Sequence, residues 1–248
     1  MNQFSRTQRL FGKAAMNRLA SARVAVFGIG GVGGYTVEAL VRSGIGKIDL
    51  IDDDKVCLTN LNRQIIATHS TIGMDKVDAA TARILDINPN CQVVPHKTFF
   101  TAETTHMFDF TQYDYIVDAI DTVTGKIELV VQAEKCGTPI ISSMGAGNKL
   151  DPTAFQVADI YATTVCPLAR VMRYALRKRN IEKLKVVYST ESAMTLLEDA
   201  QIDCQEYDSC PPGRHQIPGS NAFVPSVAGL ILAGEVVKDI TNEFMSGG

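Results

Sequence analysis

Gly28-Ile29-Gly30-Gly31-Val32-Gly33 stands between a short apolar run and a helical pattern. Glycines at such a junction let the backbone turn tightly and approach a phosphate, while the helix start supplies unpaired N–H groups and positive potential. Asp52 closes the next apolar run, where it can accept hydrogen bonds from ribose hydroxyls. Up to this point the pattern fits NAD as well as ATP, so an NAD(P)-dependent oxidoreductase is one reading. The residues that follow change the balance. Asn60, Arg63 and Gln64 come directly after the ribose-side strand, Lys76 opens a helical pattern, and Asp121 lies just past a fourth apolar run. An arginine with a lysine suits a triphosphate, whose charge must be neutralised as pyrophosphate leaves. A nearby aspartate suits the Mg2+ that bridges phosphate oxygens. Hydride transfer needs none of this and wants room for a nicotinamide.

These residues need an alternating scaffold, and the patterning supplies one. Val24–Phe27, Ile48–Ile51, Val93–Val94, Tyr115–Ile120 and Pro139–Ser142 read as strands. Thr36–Ser43, Lys76–Asp86 and a segment through Val130 that stops at Gly137 read as helices. The expected fold class is therefore α/β and Rossmann-like, a mostly parallel sheet with helices on both faces. Beyond Gly145, Val157–Tyr161 and Val186–Tyr188 extend the sheet, with an arginine-rich helix from Pro167 to Arg179 between them. Residues 199–221 read as a mobile loop, and Val224 to Phe244 closes as a buried helix. One domain over 1–248 is expected, with a nucleotide-binding core at about 20–145 and a substrate-side extension at about 146–248.

With 248 residues, 46% of them hydrophobic, the chain can bury a sizeable core. A net charge of −3 excludes a generally basic nucleic-acid binder but permits a local basic face. Arg170, Arg173, Arg177, Lys178, Arg179, Lys183 and Lys185 form such a run, a solvated face or a phosphate-contact patch. The polar first twenty residues show no secretory signal. The longest apolar stretch, Phe223 to Val237, is broken by Pro225, Ser226, Gly234 and Glu235, so no membrane span is expected. Six cysteines without a C-x-x-C pair point to free thiols in a reducing cytoplasm and to no structural zinc. Cys204, Cys210 and His215 fit no standard zinc spacing. Asp53 and Asp54 read as a solvated turn, and Asp118 as either a partner of Asp121 on the metal or a structural carboxylate.

Taken as a set, Gly28, Gly30, Gly31, Gly33, Asp52, Asn60, Arg63, Gln64, Lys76 and Asp121 resemble the shared pattern of the ubiquitin-activating-enzyme-like (ThiF-type) family: G-x-G-G-x-G, an aspartate, N-L-x-R-Q, a lysine, and an aspartate after the next strand. The resemblance implies an ATP-using adenylating enzyme in which Asp52 holds ribose, Asn60, Arg63 and Lys76 hold phosphates, and Asp121 is the Mg2+-linked carboxylate. It also implies a homodimer whose N-terminal arginine reaches the other subunit's ATP. Arg6, in Phe4-Ser5-Arg6-Thr7-Gln8-Arg9, is the candidate.

Sulfur-carrier activators of this family usually carry two C-x-x-C pairs and read T-D-N around the second aspartate. This chain has neither, reading Asp118-Ala119-Ile120-Asp121-Thr122. Together with Arg42-Ser43-Gly44-Ile45-Gly46, Gly145-Ala146-Gly147, Asp151-Pro152-Thr153 and Tyr188-Ser189-Thr190-Glu191, this resembles the branch acting on threonylcarbamoyladenosine in tRNA. What that implies is ATP-dependent cyclisation of a modified adenosine next to the anticodon. Arg170, Arg173, Arg177 and Lys178 then become tRNA contacts. A sulfur-transfer or redox partner protein stays open, as does the alternative of a zinc-free activator of a ubiquitin-like sulfur carrier.

Overall fold

The computed structural model describes residues 2–197 and 218–245; Cys204, Cys210, His215 and most of the predicted 199–221 loop lie outside them. The described strands are β1 (Arg23–Phe27), β2 (Lys47–Ile51), β3 (Gln92–His96), β4 (Tyr115–Asp118), β5 (Ile140–Ser143), β6 (Phe155–Asp159) and β7 (Lys185–Ser189). They form one sheet in the order β3-β2-β1-β4-β5-β7-β6. Every neighbouring pair is parallel except β6 on β7.

The middle strands are apolar because both faces are covered. In β1, Val24 and Val26 point into one core with α2 (Gly33–Ser43), α3 (Lys76–Ile87) and α6 (Val224–Met245). Ala25 and Phe27 point the other way, into an aromatic cluster of Phe100, Phe108, Phe110 and Tyr113 against α4 (Val123–Cys136). A further core packs α5 (Pro167–Arg177) on Val186 and Tyr188 of β7. Among the described residues, no helix is long and apolar enough to cross a membrane.

Two strand ends differ from the sequence reading for a local reason. At β4 the Asp118 carboxylate accepts the Ile120 N–H at 3.3 Å, and at β6 the Asp159 carboxylate accepts the Tyr161 N–H at 2.8 Å. Each side chain turns the backbone out of the sheet two residues earlier than the apolar run suggests. The N-terminal helix α1 (Ser5–Ser21) has weak apolar periodicity and breaks at Gly12, whose φ is 82°. Its Ala15, Met16 and Leu19 join the first core.

Candidate nucleotide site

Strand order reverses between β1 and β4, so the loops leaving their C-terminal ends part and open a crevice there. Gly28 to Gly33 leave β1, and Ala119 to Asp121 leave β4. Packing explains part of the glycine pattern. Gly28 has φ 89°, and a Cβ on it would lie 2.7 Å from the Ala119 carbonyl oxygen. A Cβ on Gly33 would lie 1.8 Å from the Gly28 oxygen. Gly30 is different: the nearest atom to its would-be Cβ is Gln64 Nε2, at 4.0 Å. Among the described residues, no neighbouring group requires a glycine there.

Asp52, one residue past β2, is held by the glycine loop itself. Its Oδ2 accepts the Ile29 N–H at 2.6 Å and its Oδ1 the Asp54 N–H at 2.9 Å. Burial pushes its carboxyl above the usual carboxylate range, against the opposing charge of Lys76. Lys76, 5% exposed at the start of α3, places Nζ 2.5 Å from Asp54 and 3.6 Å from Asp52. Asp54 is thus a partner of the predicted phosphate lysine rather than simply a solvated turn residue. Asp53 is exposed, and its carboxyl is raised by partial burial, then by the charge of Asp54 and, less, of Asp121. One oxygen from each of Asp52, Asp53 and Asp54 lies within 4.8 Å of the others, an all-oxygen donor set.

Asn60 ends a short 3-10 turn, Leu58–Asn60; its Oδ1 accepts the Cys57 N–H at 3.2 Å, and its carbonyl accepts the N–H groups of Arg63 and Gln64. The turn therefore aims both following side chains. Arg63 lays its stem along Gly31, 3.4 Å from that residue's would-be Cβ, and its Nη1 donates to Thr59 O and Asn62 Oδ1, each at 2.9 Å. Gln64 is 6% exposed, and its Oε1 has no hydrogen-bond partner among the described residues. An unsatisfied buried acceptor costs about 1–3 kcal/mol.

Asp118 and Asp121 separate clearly. Asp118 is fully buried; its Oδ1 accepts from Lys126 Nζ at 3.0 Å and its Oδ2 from Ser142 Oγ at 2.5 Å. Lys126, 1% exposed, also donates to Ser143 O at 2.7 Å. Asp118 is thus a structural carboxylate under the loop, whereas Asp121 is exposed on it. Sequence reasoning missed Lys126. The available signal was a lysine on the buried stripe of α4 with Leu129, Val130 and Ala133, which demands an acid beneath it.

The predicted residues outside the crevice fall in two places. Phe4 lies 3.7 Å from the would-be Cβ of Gly44, at the far end of α2 from the glycine loop. Eleven helical residues separate those ends, about 16 Å, so Phe4, two residues before exposed Arg6, packs at the end of α2 away from the loop. On α5 and at its C-cap, Arg170, Arg177 and Lys178 are exposed beside Tyr174, with Arg177 over the Tyr161 ring at 5.1 Å and Lys178 over Tyr174 at 4.4 Å. Arg173 instead donates to the Thr163 hydroxyl and carbonyl and is half-buried.

Comparison with known proteins bears on this geometry. The model of the family described as ThiF matches residues 4–246. A tRNA threonylcarbamoyladenosine dehydratase of Bacillus subtilis is 47% identical over 244 residues, covering 98% of this chain and 96% of the relative. The crystal structure of the Escherichia coli tRNA N6-threonylcarbamoyladenosine dehydratase in complex with ATP superposes with TM-score 0.85 at 33% identity, covering 99% of this chain and 96% of that one. Its AMP complex gives 0.84 at 33%, covering 97% and 94%.

Proposed function

This chain belongs to the ThiF family, and from that premise we propose how its crevice works as an ATP-dependent tRNA threonylcarbamoyladenosine dehydratase. The observation that carries the reading is the open space beside Gly30, bordered by Gln64, with Asp52 on the adjoining Ile29 N–H, Arg63 along Gly31 and Lys76 beside Asp52. A nucleotide supplies what these side chains lack: phosphates for the two cations. Asp54, whose side chain is 66% exposed, is the weaker of the two anions on Lys76. Asp54 can turn back to solvent, so a phosphate can take its place on Lys76 while buried Asp52 stays.

A carboxylate is a poor electrophile because oxide is a poor leaving group. In the proposed reaction a substrate carboxylate oxygen attacks the α-phosphorus of ATP, the bond to the β-phosphate oxygen breaks, and pyrophosphate leaves. The neighbouring carbamoyl group then bonds to the acyl carbon. The acyl–phosphate bond breaks, AMP departs with the electron pair, and the carbamoyl N–H proton goes to solvent. Attack within one molecule needs no protein nucleophile. Arg63 and Lys76 neutralise the departing charge, Asp52 orients the ribose, and Asn60 aims Arg63 and Gln64. Asp121, exposed on the loop after β4 and near Asp53, offers the carboxylate oxygen that Mg2+ takes. When bound, that ion would supply charge neutralisation at the phosphates, with Asp121 as its proposed ligand.

Residues 20–145 form the nucleotide half and 146–248 the substrate side of one domain in this proposal. Arg170, Arg177 and Lys178 would contact tRNA phosphates, with Arg173 bracing the helix. Arg6 and Leu10, four residues apart on one face of α1 and both exposed (Leu10 by 77%), support a homodimer in which Arg6 serves the other subunit. A tRNA substrate places the work in the cytoplasm, and a sulfur-transfer or redox partner is not required by the reaction as written.

The test is pyrophosphate release with tRNA carrying threonylcarbamoyladenosine, unmodified tRNA, or a carrier protein ending in Gly-Gly. Release is expected with the first alone; release with the carrier protein alone would replace tRNA by a sulfur carrier. Alanine at Arg170, Arg177 and Lys178 should flatten the salt dependence of tRNA binding; an unchanged slope would remove α5 from the tRNA surface.

A further inference from the structure

Residues 218–221 are fastened to the loop that follows β5. Asn148, with φ 57°, donates its N–H to Gly219 O at 2.8 Å and accepts the Gly219 N–H on Oδ1 at 2.6 Å. Its carbonyl accepts the Met194 N–H at 2.8 Å, so one residue pins two segments that lie far apart in sequence. Asn221 Nδ2 adds a bond to Lys149 O at 2.8 Å.

The fastened segment then reaches the phosphate clamp through Asn62. Ser220 O accepts from Asn62 Nδ2 at 3.0 Å, and Asn62 Oδ1 accepts from Arg63 Nη1 at 2.9 Å. Asn62 therefore stands between a donor-only guanidinium and an acceptor-only carbonyl. Both neighbours demand the same amide orientation. Aspartate would set a carboxylate oxygen against the carbonyl, and alanine would leave both neighbours without this partner. Asn62 occupies the position that the N-L-x-R-Q pattern leaves open.

We infer that Asn62 is a positioning residue that couples residues 218–221, on the substrate side, to the Arg63 guanidinium. Resting on the ATP-and-tRNA reading above, this coupling makes the setting of the phosphate clamp depend on how the substrate-side segment is docked.

The test measures tRNA-dependent AMP formation at varied ATP for Asn62→Ala, Asn148→Gly and the double variant. Glycine at 148 accepts the positive φ and removes only the side-chain acceptor for Gly219. Asn62→Ala is expected to lower kcat about tenfold, the scale of one hydrogen bond to a charged group. KM for ATP should stay within about threefold, because the clamp is disordered rather than removed. Asn148→Gly should act in the same direction, and the double variant should be no worse than the more affected single, as for members of one chain. Wild-type kcat in Asn62→Ala, effects that multiply in the double variant, or an unfolding midpoint that falls in step with activity would each overturn the coupling. Failure of the wild-type protein to form AMP with the modified tRNA would instead overturn the functional reading.

Discussion

Replacing Gly30 with alanine separates a glycine kept for its ligand from one kept for packing. The added Cβ would have Gln64 Nε2 as its nearest neighbour at 4.0 Å, ordinary contact, and the φ of Gly30 lies outside the left-handed region. The methyl therefore fits the empty protein. Restricting the unfolded chain should stabilise it by about 0.4–1 kcal/mol, which at this size raises the unfolding midpoint by roughly 1–4 °C. With ATP present, the same methyl occupies the approach of a phosphate to the backbone. Losing one hydrogen bond to a charged phosphate is worth about 1.5–3 kcal/mol, so affinity should fall roughly 10- to 150-fold. Gly33→Ala is the control with the opposite signature. Its Cβ would lie 1.8 Å from a backbone oxygen, so the loop must move and stability should drop by several kcal/mol, about 4 or more. Calorimetric titration with ATP and a thermal melt on each variant decide the matter. A Gly30→Ala protein that binds ATP as well as wild type, or that melts well below it, would refute the assignment of this space to a phosphate.

Three further expectations follow from the same geometry. Lys126→Met leaves the Asp118 carboxylate buried without its cation and should cost about 3–5 kcal/mol in urea unfolding, whereas Asp118→Asn with Lys126→Met should recover most of it; additive losses would deny the pairing. Arg6→Ala and Arg63→Ala should each be inactive as homodimers, and co-refolding them should restore about a quarter of wild-type activity through mixed dimers carrying one intact site. No recovery would place Arg6 outside the partner's site. Burial alone would raise the Asp49 carboxyl, but hydrogen bonds from His96 and Arg23, with their charges, outweigh it and hold it below the usual carboxylate range. Its stabilisation is then present above the ordinary carboxylate pKa of about 4 and is lost as pH falls through the lowered value. Asp49→Asn should flatten that acid limb, and an unchanged acid midpoint would show that the charge contributes nothing.

The sequence made the nucleotide half legible because its signals are local. β1, the glycine loop and α2 form a contiguous strand–turn–helix unit whose pattern switches from an unbroken apolar run to helical spacing at the glycines. Asp52 and Asp121 are readable because each follows an apolar run, and the C-terminal ends of parallel strands lie on one edge of the sheet. The buried α6 and the arginine-rich α5 were readable from composition. Helix α1 was missed because Gly12 splits it and only a narrow stripe, Ala15, Met16 and Leu19, packs inward.

What could not be read is pairing over long distances. Spacing alone says that Lys76 and Arg63 are near a ribose strand, but not that Lys76 rests on Asp54 or that Arg63 rests on Thr59 and Asn62. Those choices depend on side-chain direction after the chain has turned at Asn60, and on segments that arrive later. Ser220 reaches Asn62 across 158 positions, and Gly219 reaches Asn148 across 71. Neither contact leaves a periodic trace, since asparagine and serine are at home in any polar loop. Buried charge behaves differently. Lys126 betrays itself by standing on an apolar helix face, and the partner it requires must come from a strand end within reach of that face, which narrows the choice to Asp118 or Asp121. Desolvation then decides between them. The carboxylate that meets the lysine is sealed under the loop, while Asp121, three residues later, stays at the surface where a substrate can meet it.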